Sequence, residues 1–148
     1  MKWLLDTNVV SESARDRPAQ LVIEWIRARP IDDLAISIVT LAELREGAES
    51  NRNEVRRRRL ADWIETEVSS AFHGRTLALS TYVLTDSLRL SRRLRVKGIA
   101  RDASDLLIAA TARVHELTLV TRNTRHFTET GVVVYDPWSN KTHVMDVP

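Results

Sequence analysis

The sequence predicts one α/β domain built around a mainly parallel sheet. Two patterns carry this reading. Five short apolar runs, at residues 3–5, 34–36, 76–79, 117–120 and 132–135, alternate with helical stretches. No repeat, low-complexity tract or linker interrupts the alternation. The bulk numbers agree: 148 residues, 43% hydrophobic and 28% charged, suit one globular domain with a real core.

Each element has a local reason. Trp3-Leu4-Leu5 is an apolar run bounded by polar residues, and Thr7-Asn8 favour a turn or a helix start after it. Residues 9–13 follow as a short helix or turn, and Arg15-Asp16-Arg17-Pro18 is a polar break. Between 19 and 29, Leu21, Val22, Trp25 and Ile26 make a helical face, closed by Pro30. Ser37 is placed to cap a helix that carries Ile38, Val39, Leu41, Ala42 and Leu44, with Gly47 as its stop. Residues 51–70 read as a longer amphipathic helix with Val55, Leu60, Trp63, Ile64 and Val68 on one side. Residues 82–96 read as another, with Val83, Leu84, Leu88, Leu90 and Leu94 apolar, closed by Lys97-Gly98. Residues 102–115 form the most apolar helix, one expected to be buried. The domain is expected to span 1–138, with 139–148 as a C-terminal tail.

Composition removes several function classes. A net charge of +2 is too small to argue by itself for nucleic acid. The absence of cysteine excludes disulfides and thiolate metal sites. No signal peptide fits ahead of Asp6, and no apolar run approaches the roughly 20 residues of a membrane span. The expectation is a soluble cytoplasmic protein. His73, His115, His126 and His143 lack zinc-type spacing, and surface or packing roles are assigned to them. Neither a phosphate-binding glycine loop nor a Ser or Cys nucleophile motif is present.

The chemistry is sought among the acids. Asp6 stands where the first strand should leave the sheet, at the edge where α/β sheets place their ligand crevice. Glu43 lies in the helix after the second strand, Asp105 opens the apolar helix, and Asn123 follows the fourth strand. Ordinary roles are open to each. Asp6 can cap a helix. Thr40-Leu41-Ala42-Glu43 fits a capping box. Asp105 suits the first turn of a helix that Asp102 would cap, and Asn123 suits a turn. An acid leading so apolar a helix needs a metal or a donor. Several carboxylates without cysteine suit a hard cation, Mg²⁺ or Mn²⁺.

Four stretches resemble one family. Leu4-Leu5-Asp6-Thr7-Asn8-Val9-Val10-Ser11-Glu12 looks like the opening of a PIN domain. Thr40-Leu41-Ala42-Glu43-Leu44-Arg45-Glu46-Gly47 resembles its second acidic motif. Asp105-Leu106-Leu107-Ile108-Ala109-Ala110-Thr111-Ala112 resembles the third, and Leu119-Val120-Thr121-Arg122-Asn123-Thr124-Arg125-His126-Phe127 the fourth. The four stand in family order and spacing across residues 2–138. The chain looks most like the VapC-type toxins, especially their FitB-like branch.

That resemblance implies a PIN-like three-layer α/β/α sandwich with a central, mainly parallel five-stranded sheet. It implies Asp6, Glu43 and Asp105 as metal-binding catalytic carboxylates, with Asn123 completing the catalytic set. It further implies a Mg²⁺- or Mn²⁺-dependent endoribonuclease, a toxin that forms homodimers and is inhibited by a cognate VapB-type antitoxin. Hydrolysis by metal-activated water would leave 5′-phosphate and 3′-hydroxyl ends. Some relatives carry an acid where this chain has Asn123, so a second metal is not implied here. Thr7, Asn8 and Ser37 are expected to orient the acids, and Arg122 to meet substrate. The run Arg56-Arg57-Arg58-Arg59 is read first as a solvated face and second as a phosphate contact. There are three rival readings. A haloacid-dehalogenase-like phosphatase wants an Asp where Asn8 stands. A receiver-like domain lacks its acceptor Asp and its Lys. A PIN fold that binds RNA or antitoxin without cutting is the third.

Overall fold

The computed structural model describes residues 1–147. Strand β1 (Trp3–Leu5) ends at Asp6 and runs at once into α1 (Thr7–Glu12). Helix α2 (Gln20–Arg27) comes next, and a 3₁₀ turn at Ile31–Asp33 leads into β2 (Leu34–Ser37). Helix α3 (Ile38–Glu49) starts directly after it, because the Ser37 Oγ accepts from the Val39 N–H at 3.2 Å. Helix α4 (Glu54–Trp63) is capped by Asn53 and passes through a π-helical turn at Ile64–Val68 into the single turn α5 (Ser69–Ala71). Strand β3 (Thr76–Leu77) is two residues long. Helices α6 (Thr81–Val96) and α7 (Ala103–Val114) precede β4 (Thr118–Val120). A 3₁₀ turn at Thr124–Phe127, β5 (Val133–Asp136) and β6 (Lys141–Val144) complete the chain.

The strand order is β3-β2-β1-β4-β5-β6. The first five strands are parallel and β6 is antiparallel to β5. Alternation of side chains splits the sheet between two cores. Leu4, Ala35, Leu119 and Val134 face α6 and α7 through Val83, Leu90, Leu94, Ile108 and Ala109. Leu5, Ile36, Val120 and Tyr135 face the other layer through Val9, Val22, Trp25, Leu44, Ile64 and Val68. The result is the expected three-layer sandwich. No helix of the described residues is long and apolar enough to cross a membrane.

Register is what positions the site. Leu5 pairs with Ile36 on one side and with Val120 on the other. The next residues along, Asp6, Ser37 and Thr121, therefore share one carboxyl edge. The order reverses at β1 and β4, so this is also the topological switch point, where open α/β sheets hold their ligands.

Several expectations need correction. The sheet has six strands, not five: the residues read as a tail supply β6, and Met145 is buried in the core. The last residue of that stretch, Pro148, lies outside the described residues. Gly47 does not stop α3, which runs on to Glu49. A side chain at that position would meet nothing, so the helix tolerates glycine there at a modest cost in propensity. Leu21, Val55, Leu84 and Leu88 lie on helices as expected but are exposed. Periodicity gives the face of a helix and not its width, and these residues fall at the margin of the buried stripe. Trp63 is partly buried against the core cluster around Leu5 and Ile64.

Candidate active site

Asp6 sits at the N-cap of α1 with extended backbone, and its side chain is turned back over the sheet edge. It is 6% exposed and receives three hydrogen bonds. The Thr7 N–H donates to Oδ1 at 2.8 Å. The Asn8 Nδ2 donates to Oδ2 at 2.8 Å, and the Thr121 hydroxyl donates to the same oxygen at 2.6 Å. The capping role open to Asp6 from sequence is thus real, and it coexists with membership of the site.

Thr121 is the hub. Its Oγ1 donates its one proton to Asp6 and accepts from the Asn8 Nδ2 at 3.0 Å and from the Asn123 N–H at 3.0 Å. One donor and two acceptors use the whole capacity of a hydroxyl. Asn8 is fixed in the same way, since its Oδ1 accepts from the Arg122 N–H at 3.1 Å. The chain after β4 is therefore tied to the chain after β1.

Glu43 projects from the middle of α3, and its Oε2 accepts from the Thr7 hydroxyl. The capping-box alternative fails, because Ser37 and not Thr40 caps this helix. Asp105 lies in the first turn of α7, where the helix dipole favours an acid. Its Oδ2 is 3.1 Å from the His126 Nδ1. Asp102 occupies the N-cap position but makes no side-chain capping bond.

Electrostatics join the three acids. Burial pushes the Asp6 carboxyl above its ordinary value, and Glu43 and Asp105 push it further, against the hydrogen bonds from Thr121 and Thr7. Asp105 is also raised, first by burial. His126 lowers it, and Asp102 and Glu43 raise it. Asp6 thus feels both other acids, and Asp105 feels Glu43. Among the described residues, no three His, Asp or Glu side chains close into a compact metal-binding group. The three carboxylates offer oxygen donors alone, which is the donor chemistry of a hard cation such as Mg²⁺.

The other residues expected at the site divide between it and the surface. Thr7 and Asn8 orient acids, as expected. Ser37 does not: its hydroxyl caps α3, and no hydrogen bond joins it to a carboxylate among the described residues. Asn123 is exposed and enters the network through its backbone, since its carbonyl accepts from the His126 N–H. Arg122 is exposed, with its guanidinium 5.5 Å from the centre of the Trp138 ring.

Sequence reasoning missed Thr121 and the contact of His126 with Asp105. Thr121 did carry a signal: it comes after a buried run on β4 as Asp6 does on β1. His126 is a surface residue, as the surface or packing reading allowed, and nothing in its spacing linked it to Asp105 in the preceding helix.

A family model described as PIN domain matches residues 3–133. The chain is 35% identical over 135 residues to Toxin FitB of Neisseria gonorrhoeae, covering 91% of this chain and 97% of that protein. It is 34% identical over 135 residues to VapC ribonuclease Y4jK of Sinorhizobium fredii, covering 91% and 96%. The crystal structure of FitAcB from Neisseria gonorrhoeae superposes with a TM-score of 0.85 at 34% identity, covering 92% of this chain and 98% of that one.

Proposed function

The chain belongs to the PIN-domain family, and from that premise we propose that it is a divalent-metal-dependent endoribonuclease, the toxin of a toxin–antitoxin pair. The observation that carries this reading is the buried Asp6, held by Thr7, Asn8 and Thr121 within electrostatic reach of Glu43 and Asp105. A buried acid whose proton affinity is raised by burial and by two further acids is unfavourably placed unless a cation joins them. The relatives named as a toxin and as a ribonuclease support the substrate class and the role.

Asp6, Glu43 and Asp105 would hold Mg²⁺ or Mn²⁺. The bound ion supplies a Lewis acid toward the phosphodiester and a water of lowered pKa. The chain supplies position. Thr121 and Asn8 fix the rotamer of Asp6, and the Thr121 hydroxyl favours its charged form against the burial that opposes it. Thr7 carries a hydrogen bond to Asp6 on its N–H and one to Glu43 on its hydroxyl, so it sets the spacing of these two acids. His126 holds Asp105 from the far side. Asn123 and Arg122, exposed beside the acids, face the substrate. An antitoxin of the VapB type and a second copy of the chain are the expected partners.

Incubation of RNA with the protein tests the reading. Cleavage is expected in Mg²⁺ or Mn²⁺, with 5′-phosphate ends, and none in excess EDTA. Asp6→Ala and Asp105→Ala are each expected to abolish it while circular dichroism stays unchanged. Cleavage that survives EDTA, or full activity in either variant, refutes the assignment. Sequencing of RNA ends after a brief pulse of expression identifies the target.

A further inference from the structure

Two open clefts reach the acidic centre, one from the Glu43 side and one from the Asp105 side. The first, 430 Å³, takes in Thr7 and Glu43 and is lined by Arg15 and Arg56. The second, 390 Å³, takes in Asp102 and Asp105 and is lined by Arg101, Arg125 and His126. They share no residue.

The arginines of these clefts are not alike: Arg15 is paired with Glu12, and three others are left without a carboxylate. Arg45, Arg58 and Arg113 are paired with Glu65, Glu54 and Asp86. Arg56, Arg101 and Arg125 have no carboxylate partner among the described residues. Arg101 is also held in place. Its guanidinium donates to the Thr128 hydroxyl at 2.6 Å and to the carbonyls of Arg125 and Ala100, all neutral acceptors. Its Nε is buried without a partner. A guanidinium fixed by neutral groups keeps its full charge for an anion. A centre of three carboxylates repels a polyanion, so cations on both sides are what let a strand cross it.

We propose that Arg56 on one side, and Arg101 with Arg125 on the other, bind the backbone phosphates that flank the scissile one in a single RNA strand. The choice of RNA rests on the nuclease reading above. With contacts on both sides of the acids, cleavage falls inside a strand and not at its end.

The test is fluorescence anisotropy of the full chain with a labelled single-stranded RNA of about a dozen nucleotides, across a salt series in EDTA. Arg56→Ala, Arg101→Ala and Arg125→Ala are each expected to weaken binding several-fold. Each should lower the slope of log affinity against log salt by about 0.7. Arg101→Lys keeps the charge and is expected to keep the slope, which a purely structural role for Arg101 would not predict. Arg92→Ala, on the exposed face of α6, is expected to match the unaltered chain. Unchanged slopes in all three alanine variants overturn the proposal. So does polyglutamate that binds as tightly as RNA with the same arginine dependence, since the clefts then serve an acidic protein segment. Cleavage in Mg²⁺ with unchanged slopes removes the strand track and leaves the nuclease. Arginine-dependent binding without cleavage in Mg²⁺ or Mn²⁺ supports the track and removes the nuclease.

Discussion

Thr121→Val isolates the hub of the site. Valine keeps the shape of the side chain and deletes the hydroxyl, and Thr121 is fully buried, so packing changes little. Three hydrogen bonds go: to Asp6 at 2.6 Å, from Asn8 at 3.0 Å and from the Asn123 N–H at 3.0 Å. Asn8 still reaches Asp6, and the exposed Asn123 N–H can turn to water. The net loss is therefore the bond to the carboxylate, about 2 kcal/mol for a charged acceptor. For a chain of this size that lowers Tm by about 4–8 °C. Thr121 is also the leading donor that holds the Asp6 proton affinity down, so its loss raises that affinity further. The destabilisation should then be full at neutral pH and shrink in acid, where Asp6 is protonated in both proteins. Loss of a group that orients a metal ligand typically costs about 10–100-fold in metal affinity. Half-maximal cleavage should need correspondingly more Mg²⁺. The assays are thermal unfolding against pH and cleavage against Mg²⁺ concentration. An unchanged Tm at neutral pH together with an unchanged Mg²⁺ requirement refutes the network.

Other variants probe separate parts of the fold. Asp6→Ala should show a flatter loss of Tm with rising pH than the unaltered chain. A carboxyl whose proton affinity is raised by burial loses stability as pH climbs from its ordinary value of 3.8 through the raised one, and alanine has no such group. Mg²⁺ should offset part of that loss in the unaltered chain. Ser37→Ala should cost about 1 kcal/mol through the lost cap on α3, read from urea unfolding, and leave the Mg²⁺ requirement unmoved. Gly131→Ala should lower the urea midpoint with little change in slope. Gly131 has φ +73°, and an added Cβ would stand 2.6 Å from the Arg113 Nη1. That guanidinium cannot easily yield, because it is tied to the Thr130 carbonyl and to Asp86. About 1–3 kcal/mol is expected from the strained backbone and the clash.

Much of the site was legible because strand ends are legible. A buried apolar run announces its own end, and an acid at that end points to the crevice. Asp6 was readable this way, and Asp105 by standing at the head of an apolar helix. The hydroxyls were harder. Ser37 and Thr121 both stand at the ends of buried strands beside Asp6, yet one caps a helix and the other holds the carboxylate. Each Oγ accepts from the amide two residues on, Val39 for Ser37 and Asn123 for Thr121. Only the Thr121 hydroxyl also donates to Asp6, a contact that the pairing of β1 with β4 brings about and neither segment encodes by itself.

The sequence by itself determined the element order, the alternation that makes a parallel sheet, and the acids at the edge. These are local properties: apolar runs, caps and breaks act over a few residues. Strand order decided the rest. Placing β1 between β2 and β4 brings Thr121 to Asp6 across 115 positions of chain. Residues 139–147 carry too little apolar length to announce a strand. Only the free edge of β5, already formed, gives β6 its hydrogen-bond partners. His126 meets Asp105 for the same reason: the turn after β4 folds back over the start of α7. Contacts made by pairing between distant segments exist only once the sheet is assembled, and no local pattern encodes them.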